Sequence, residues 1–238
     1  MNKKIVLIFL LSIYCRLIFL SANNETIKTD YYSYKDGLTT SGVNSIYNDS
    51  RGFLWLCTNN GLFRFDGYNF RNINTLTKQN LNLQTFCITE DAQGNFLVGT
   101  SKGIFYYNTH TERLWKLSLS IDADFKIYKI LLINNKIWAG SDNGLLMITP
   151  RKSLNADIVL QTRMLFPDSL HLRTPQDNII NTLLYLPQSP LSLWVGTNGA
   201  LYELDLNKLI FSYINSNFQN SIRAISTYRN YLLASSWD

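Results

Sequence analysis

Short apolar runs, each closed by a small residue and a polar turn, return at intervals along this chain. The first is Phe53-Leu54-Trp55-Leu56-Cys57-Thr58, followed by the turn Asn59-Asn60-Gly61 and a second run through Asp66. Phe96-Leu97-Val98-Gly99-Thr100 with Ser101-Lys102-Gly103 repeats it almost position for position, and Ile137-Trp138-Ala139-Gly140-Ser141 with Asp142-Asn143-Gly144 does so again. Leu193-Trp194-Val195-Gly196-Thr197 is a fourth copy with a shorter turn, and Leu232-Leu233-Ala234-Ser235-Ser236 opens a fifth. None of these runs alternates apolar with polar. An unbroken short apolar run bounded by turns predicts a strand covered on both faces, and the glycine-closed turns predict hairpins. Cys57, Gly99, Gly140, Gly196 and Ser235 share one slot, where a small side chain implies that another backbone comes close.

A further strand precedes each copy: Val43 to Tyr47, Phe86 to Thr89, Ile127 to Ile133, Ile180 to Tyr185 and Ile222 to Thr227. Weaker, more polar strands follow at Asn69 to Ile73, Arg113 to Leu117 and Leu209 to Ile214. The pattern is thus four strands in a meander. Copies begin at Leu54, Phe96, Ile137, Leu193 and Leu232, spaced by 42, 41, 56 and 39 residues. That period matches the roughly 40–45 residues of a propeller blade. A helical solenoid fails, because no 3.6-residue stripe runs for ten residues. The expected fold is all-β: a β-propeller of four-stranded blades over 43–238, with about four and a half blades and a fifth cut short at Asp238. The functional protein is accordingly expected to continue past that residue, and an open ring is expected to fold poorly alone, since it exposes a strand edge and an apolar blade face. The 56-residue spacing places a surplus in an inserted loop near 151–178, containing Pro167, Asp168, His171, Arg173, Pro175 and Asp177; such loops often carry binding function.

Composition changes the picture at the amino terminus. Met1-Asn2-Lys3-Lys4 and the apolar stretch from Ile5 to Cys15 have the form of a secretory signal peptide over 1–22, with Leu20-Ser21-Ala22 as cleavage site. Arg16 interrupts the stretch and argues against a retained membrane anchor. Tyr14 is too large to precede a lipidated Cys15. The formal charge of +5 includes Lys3, Lys4 and Arg16, so the remainder is close to neutral and carries no nucleic-acid footprint. Beyond the leader, Cys57 and Cys87 could pair, but Cys57 fills the small slot of one blade and Cys87 an inner strand of the next, which favours buried, packing thiols.

The chain offers little catalytic chemistry. His110 and His171 are its two histidines, too few for a histidine metal cluster, and no Gly-x-Ser-x-Gly, phosphate loop or dinucleotide fingerprint appears. His171-Leu172-Arg173-Thr174-Pro175 lacks the acidic neighbour and spacing of a kinase phosphoacceptor. Asp49-Ser50-Arg51-Gly52 and Asp91-Ala92-Gln93-Gly94 carry one residue more than a sialidase Asp box; these aspartates, with Asp205, recur in register and read as turn caps. Trp55, Trp138 and Trp194 also recur in register and read as core. Tyr31, Tyr32, Tyr34, Tyr68 and Trp115 are off register and freer to touch a ligand. No catalytic, metal, cofactor-binding or ligand-binding residue is singled out, and no cofactor is expected.

The run from Val43 to Gly67, with Asn48-Asp49-Ser50-Arg51-Gly52-Phe53-Leu54-Trp55 and Thr58-Asn59-Asn60-Gly61-Leu62-Phe63-Arg64-Phe65-Asp66-Gly67, resembles the two-component regulator propeller repeat. Asp36-Gly37-Leu38-Thr39 matches the way such sensors begin. The resemblance covers roughly residues 29–238 and weakens in the last two copies, where the Asp-x-x-Gly turn is lost; Cys57 stands where that family has glycine. It implies the periplasmic sensor half of a hybrid two-component histidine kinase in a Gram-negative bacterium, at the inner membrane, detecting oligosaccharides and working as a homodimer. The membrane helix, kinase and any DNA-binding part would lie beyond this chain, so this segment is expected not to be an enzyme. It further implies that the 23–42 segment contributes a ring-closing strand, Thr29 to Tyr34, left without its blade here. The alternatives are a secreted carbohydrate-active enzyme, using a two-carboxylate arrangement, and an interaction scaffold, each on a propeller.

Overall fold

The computed structural model describes residues 29–40, 42–73, 83–121, 124–152, 158–167, 175–214 and 221–236. The expected signal peptide and residues 153–157 and 168–174 of the expected loop, with Asp168, His171 and Arg173, lie outside the described residues. The chain divides into two units, Met1–Tyr32 and Ser33–Asp238. The second begins with a 3₁₀ turn, Tyr34–Asp36. Four antiparallel sheets of four strands follow. They are β1 (Val43–Asn48) to β4 (Phe70–Asn72) by way of β2 (Leu54–Thr58) and β3 (Gly61–Phe65); then β5 (Thr85–Glu90), β6 (Phe96–Thr100), β7 (Gly103–Asn108) and β8 (Arg113–Lys116). The third comprises β9 (Ile127–Ile133), β10 (Lys136–Ser141), β11 (Gly144–Lys152) and β12 (Ile158–Leu165), and the fourth β13 (Ile180–Tyr185), β14 (Ser192–Thr197), β15 (Leu201–Asp205) and β16 (Ile210–Tyr213). A two-stranded sheet, β17 (Ile222–Tyr228) with β18 (Tyr231–Ser236), completes the described residues. Each sheet is a simple meander, and the first strands β1, β5, β9, β13 and β17 stand side by side in that order. This is a β-propeller.

The core lies between blades rather than within them. Trp55, Cys57 and Leu62 of blade one meet Ile88, Phe96, Val98 and Tyr107 of blade two. Leu97 and Ile104 meet Ile127, Ile130 and Ile137 at the next junction. Trp138 and Leu145 meet Ile180, Leu183 and Val195 beyond that. Every residue of β6 is buried, as an unbroken apolar run implies when both faces of a sheet are covered. Trp55 pairs across the ladder with Arg64, Trp138 with Met147 and Trp194 with Glu203, so the three tryptophans occupy one register. Trp55 and Trp138 are fully buried, whereas Trp194 is half-buried, packed on the small cluster of Leu201, Ile222 and Ile225. The two-stranded sheet beside it offers less cover than a full blade.

The small slot has the cause its sequence implies. A Cβ built on Gly99 would lie 2.6 Å from the Ile127 carbonyl oxygen, and one on Gly140 would lie 2.7 Å from Ile180 Cγ2 and 3.0 Å from its carbonyl oxygen. One on Gly196 would meet Ile222 Cγ2 at 2.7 Å. The first strand of each following blade thus presses on the second strand of the blade before. In blade one the slot holds Cys57, and there the facing residue is Thr85 instead of isoleucine; the Thr58 N–H donates to Thr85 Oγ1 at 2.8 Å. A larger slot residue goes with a smaller neighbour. Cys57 and Cys87 are both buried and free, and burial raises both thiols, Cys57 to about 11.

Two devices recur that composition alone does not reveal. The hydroxyls of Thr58, Thr100, Ser141 and Thr197 each accept the N–H two residues on and donate to the carbonyl three residues on, at 2.7–3.1 Å. A buried hydroxyl therefore satisfies the otherwise orphaned backbone of each hairpin turn. The second device is the turn aspartate. Asp49 Oδ1 accepts the N–H groups of Arg51 and Phe53, and Oδ2 accepts the Trp55 indole N–H at 2.9 Å. Burial opposes ionisation of Asp49, but the bonds from Trp55, Phe53 and Arg51 outweigh it and hold the carboxyl below its usual value.

Thr29 to Tyr34, expected to lie without its blade, joins no sheet. Ser33 Oγ accepts the Lys35 N–H while the Asp36 carboxylate accepts the Ser33 N–H at 2.7 Å, and Gly37 at φ 93° ends the turn. This reciprocal capping meets the local backbone needs without a partner strand. One expectation needs correcting: among the described residues of the inserted loop near 151–178, most are strand. β11 and β12 pair from Leu145–Leu165 out to Lys152–Ile158, which supplies the outer strand of blade three. Pro150 is tolerated because β11 pairs with β10 only as far as Ile148, so its missing N–H falls beyond the central ladder. Asp177, in a 3₁₀ turn, is buried against Thr197 and Gly199. It is part of the packing.

Candidate functional site

Where the scaffold repeats, a site must be sought in what does not repeat. The first such place is the inner end of the blades. Register slips by one residue near the start of every first strand, which leaves Asn44, Phe86, Tyr128, Asn181 and Arg223 as the extra residues. A bulge re-aims a side chain and is common beside functional sites. Here the amides are committed to joining neighbours. Asn44 Nδ2 donates to the Thr85 carbonyl at 2.7 Å, and Asn181 Nδ2 to the Ile222 carbonyl at 3.1 Å, each bond reaching the next blade. Asn181 Nδ2 also donates to Asn198 Oδ1 and Ser221 Oγ, and Asn181 Oδ1 accepts from Arg223. Phe86 and Tyr128 pack edge to face at 5.1 Å. These contacts account for the five positions as fastenings between blades.

The second place is a cleft of about 1020 Å³ between blades two and three, on the side carrying the turns after β5 and β9. Its floor is apolar: Leu97, Leu117, Ile137 and Leu160. Trp115 on β8 forms one wall; it is 43% exposed and tilts against Tyr106 with ring centroids 5.0 Å apart. Leu114, the residue before, is buried in the junction with blade one, so alternation on the outer strand turns the indole outward. Polar groups ring the mouth. Asp91 Oδ1 accepts the N–H groups of Gln93 and Asn95 at 2.9 Å, and its Oδ2 accepts the Tyr106 hydroxyl at 2.8 Å. Burial, then the bond to Asp91 and its charge, push Tyr106 up to about 12. Glu90 borders the cleft but turns its carboxylate to blade one, accepting the Ser50 N–H at 2.9 Å and hydrogen bonds from Ser50 Oγ and Tyr47. Asn134 and Asn135 form the two-residue turn after β9, both at positive φ, and present exposed amides. A mainly apolar concavity with a few fixed polar groups is the usual form of a small-molecule site.

Of the off-register aromatics, Trp115 alone lines this cleft; Tyr34 and Tyr68 sit exposed in turns. His110 is exposed in the turn after β7, and among the described residues no three His, Cys, Asp or Glu side chains gather as a metal site. Among them, too, no helix is long and apolar enough to cross a membrane. The Asp91–Tyr106 bond was legible in the repeat. Copy two has Leu97 where copy one has Trp55, and its lost indole donor is replaced by Tyr106, the ladder partner of Leu97.

Residues 37–60 match the family model described as two-component regulator propeller. No curated protein matches the chain significantly. Among solved structures, the extracellular domain of a proposed one-component system from B. thetaiotaomicron is similar at 22% identity and a TM-score of 0.51, over 84% of this chain and 31% of that one. The chain thus spans just under a third of that protein's domain. A catalytically inactive virginiamycin B lyase from Staphylococcus aureus with quinupristin is similar at 17% identity and a TM-score of 0.61, over 90% of this chain and 69% of that one. The β-propeller domain of Cps50 (Swd1) from Myceliophteria thermophila is similar at 14% identity and 0.58, over 83% and 63%. At these identities the likeness is one of fold.

Proposed function

We propose that this chain, which carries a two-component regulator propeller repeat at residues 37–60, is ligand-sensing propeller from the extracytoplasmic part of a two-component sensor. The repeat match is the observation that carries the reading, and the likeness to the extracellular domain of a proposed one-component system supports it. In this reading the protein is exported and the propeller does no chemistry of its own. It takes up an oligosaccharide, and the change passes through propeller orientation or dimer contacts to a kinase elsewhere in the protein.

The cleft between blades two and three suits such a ligand. The C–H face of a pyranose ring is apolar and slightly positive, and the face of an indole is negative, so Trp115 offers a stacking surface. The amides of Gln93, Asn134 and Asn135 stand within the same rim. Titration calorimetry with uncharged gluco-, manno-, galacto- and xylo-hexasaccharides tests the reading. At least one is expected to bind, with Trp115→Ala reducing the affinity by tenfold or more and Trp115→Phe by less. If none binds at millimolar concentration, the oligosaccharide reading fails.

A further inference from the structure

The junction between blades one and two carries cationic groups that no turn or ladder requires. Residues opposite each other on neighbouring strands share a face, so Trp55 of β2, Arg64 of β3 and Arg71 of β4 line one face of blade one. That face looks onto blade two. Trp55 packs against Phe96 and Tyr107, and Arg71 reaches across to Glu112 with two bonds of 2.8 and 3.0 Å. Arg64 stands between those two points of contact. At the same register the other full blades carry Tyr106, Met147 and Glu203, so the fold itself does not call for a cation there.

Arg64 is also the charge left over. Arg51 pairs with Asp49 and Arg71 with Glu112, whereas among the described residues no carboxylate forms an ion pair with Arg64. Asp66, held low chiefly by the Asn69 and Tyr68 N–H groups, feels Arg64 only as a lesser influence. The Arg64 guanidinium lies over the Phe53 ring, 4.7 Å from its centroid, and its Nε–H is buried without an acceptor. Tyr107, on the blade-two side, is 1% exposed, and its hydroxyl too has no hydrogen-bond partner. Burial and then the Glu112 charge push that hydroxyl up, while Arg64, Arg71 and Arg51 pull it back, so it senses all three guanidinium groups and stays protonated at neutral pH. Buried polar groups are costly to leave unpaired. Two such donors on the two sides of one junction, beside an uncompensated cation, are what an oxyanion would satisfy. We propose that this junction binds the carboxylate or sulfate group of a small ligand. The Arg64 fork takes it through Nε–H and a terminal N–H, and the Tyr107 hydroxyl donates a further bond. Arg51 and Arg71, each partly exposed, draw the anion in from solvent. This site is separate from the cleft between blades two and three and does not rest on the glycan reading.

Titration calorimetry with sodium sulfate, sodium glucuronate and glucose, at constant ionic strength, tests the proposal. At least one anion is expected to bind with a dissociation constant of about 1 mM or tighter. Sulfate alone would assign a free inorganic oxyanion, and tighter glucuronate a carboxylate-bearing ligand. Arg64→Met is expected to weaken the anion about tenfold or more, and Arg64→Lys less, since the charge stays while the fork is lost. Tyr107→Phe should weaken it about threefold while the unliganded protein's thermal midpoint holds or rises, because an unpaired buried hydroxyl is gone. Lys208→Gln, which removes the same charge from an exposed turn of blade four, should leave the affinity within about twofold. Failure of both anions to bind at millimolar concentration overturns the proposal, as does glucose binding as tightly as glucuronate. Anion binding indifferent to both Arg64→Lys and Tyr107→Phe, the two variants that keep the packing, overturns it as well.

Discussion

Replacing Trp55 with alanine is expected to destabilise the fold by roughly 3–5 kcal/mol, the range for losing a fully buried aromatic, and to lower the thermal midpoint by about 10 °C. The loss has two parts that can be separated. Trp55 is buried at the junction of the first two blades, 4.6 Å from the Phe96 ring and 5.6 Å from that of Tyr107. It also donates its indole N–H to the buried carboxylate of Asp49. Trp55→Phe keeps most of the packing but removes the donor, and is expected to cost about 2 kcal/mol. The two variants also differ from the native chain in pH response. The folded-state pKa of Asp49 is lowered, so its contribution is present above the unfolded value of about 3.9 and is lost as pH falls through the folded value. Without the indole donor that dependence should flatten. Urea titrations of the three proteins between pH 3 and 7 read both effects; a Trp55→Phe variant as stable and as pH-sensitive as the native chain would show the Asp49–Trp55 bond to be idle.

Gly140→Val is the second large effect. The φ of Gly140 is not in the left-handed region, so the cost is one of space. Its Cβ would strike Ile180 at 2.7 Å, and the carbonyl oxygen at 3.0 Å is backbone that cannot rotate aside. Forcing blades three and four apart should cost about 3 kcal/mol. The pairing of Cys57 with Thr85 in blade one predicts the remedy. Gly140→Cys alone should destabilise, and adding Ile180→Thr should recover part of the loss, a coupling of about 1–2 kcal/mol in a double-mutant cycle. Strictly additive effects would show that the slot residue and the facing strand do not bear on each other.

Much of this architecture could be read from the sequence because its causes are local or repeated. Double burial leaves unbroken apolar runs, close approach leaves glycine in one slot, and a hairpin turn leaves Asn-Gly or Lys-Gly. Strand limits such as Ile127–Ile133 and Ile180–Tyr185 follow directly. β12 was missed for a different reason. It alternates, with Val159, Gln161 and Arg163 exposed and Leu160, Thr162 and Met164 half-buried, as an outer strand should, but the extra length of its hairpin hides it within a long interval. The five bulges leave no mark in composition, because the slipped residue is chosen by the blade next door and differs each time. The cleft is equally silent. Its parts come from each of the strands β5 to β12 and from the turns after β5 and β9, and only Trp115 stands out along the chain, as an aromatic without a counterpart in the other copies.

Hydrogen–deuterium exchange, with and without a bound uncharged hexasaccharide, locates the ligand directly. The account predicts slowed exchange in residues 90–93, 113–117 and 132–137, the two turns and the outer strand that frame the cleft. Protection confined instead to residues 42–44, 84–86, 126–128, 179–181 and 221–223, at the bulged ends of the inner strands, would place the ligand on the propeller axis and contradict it.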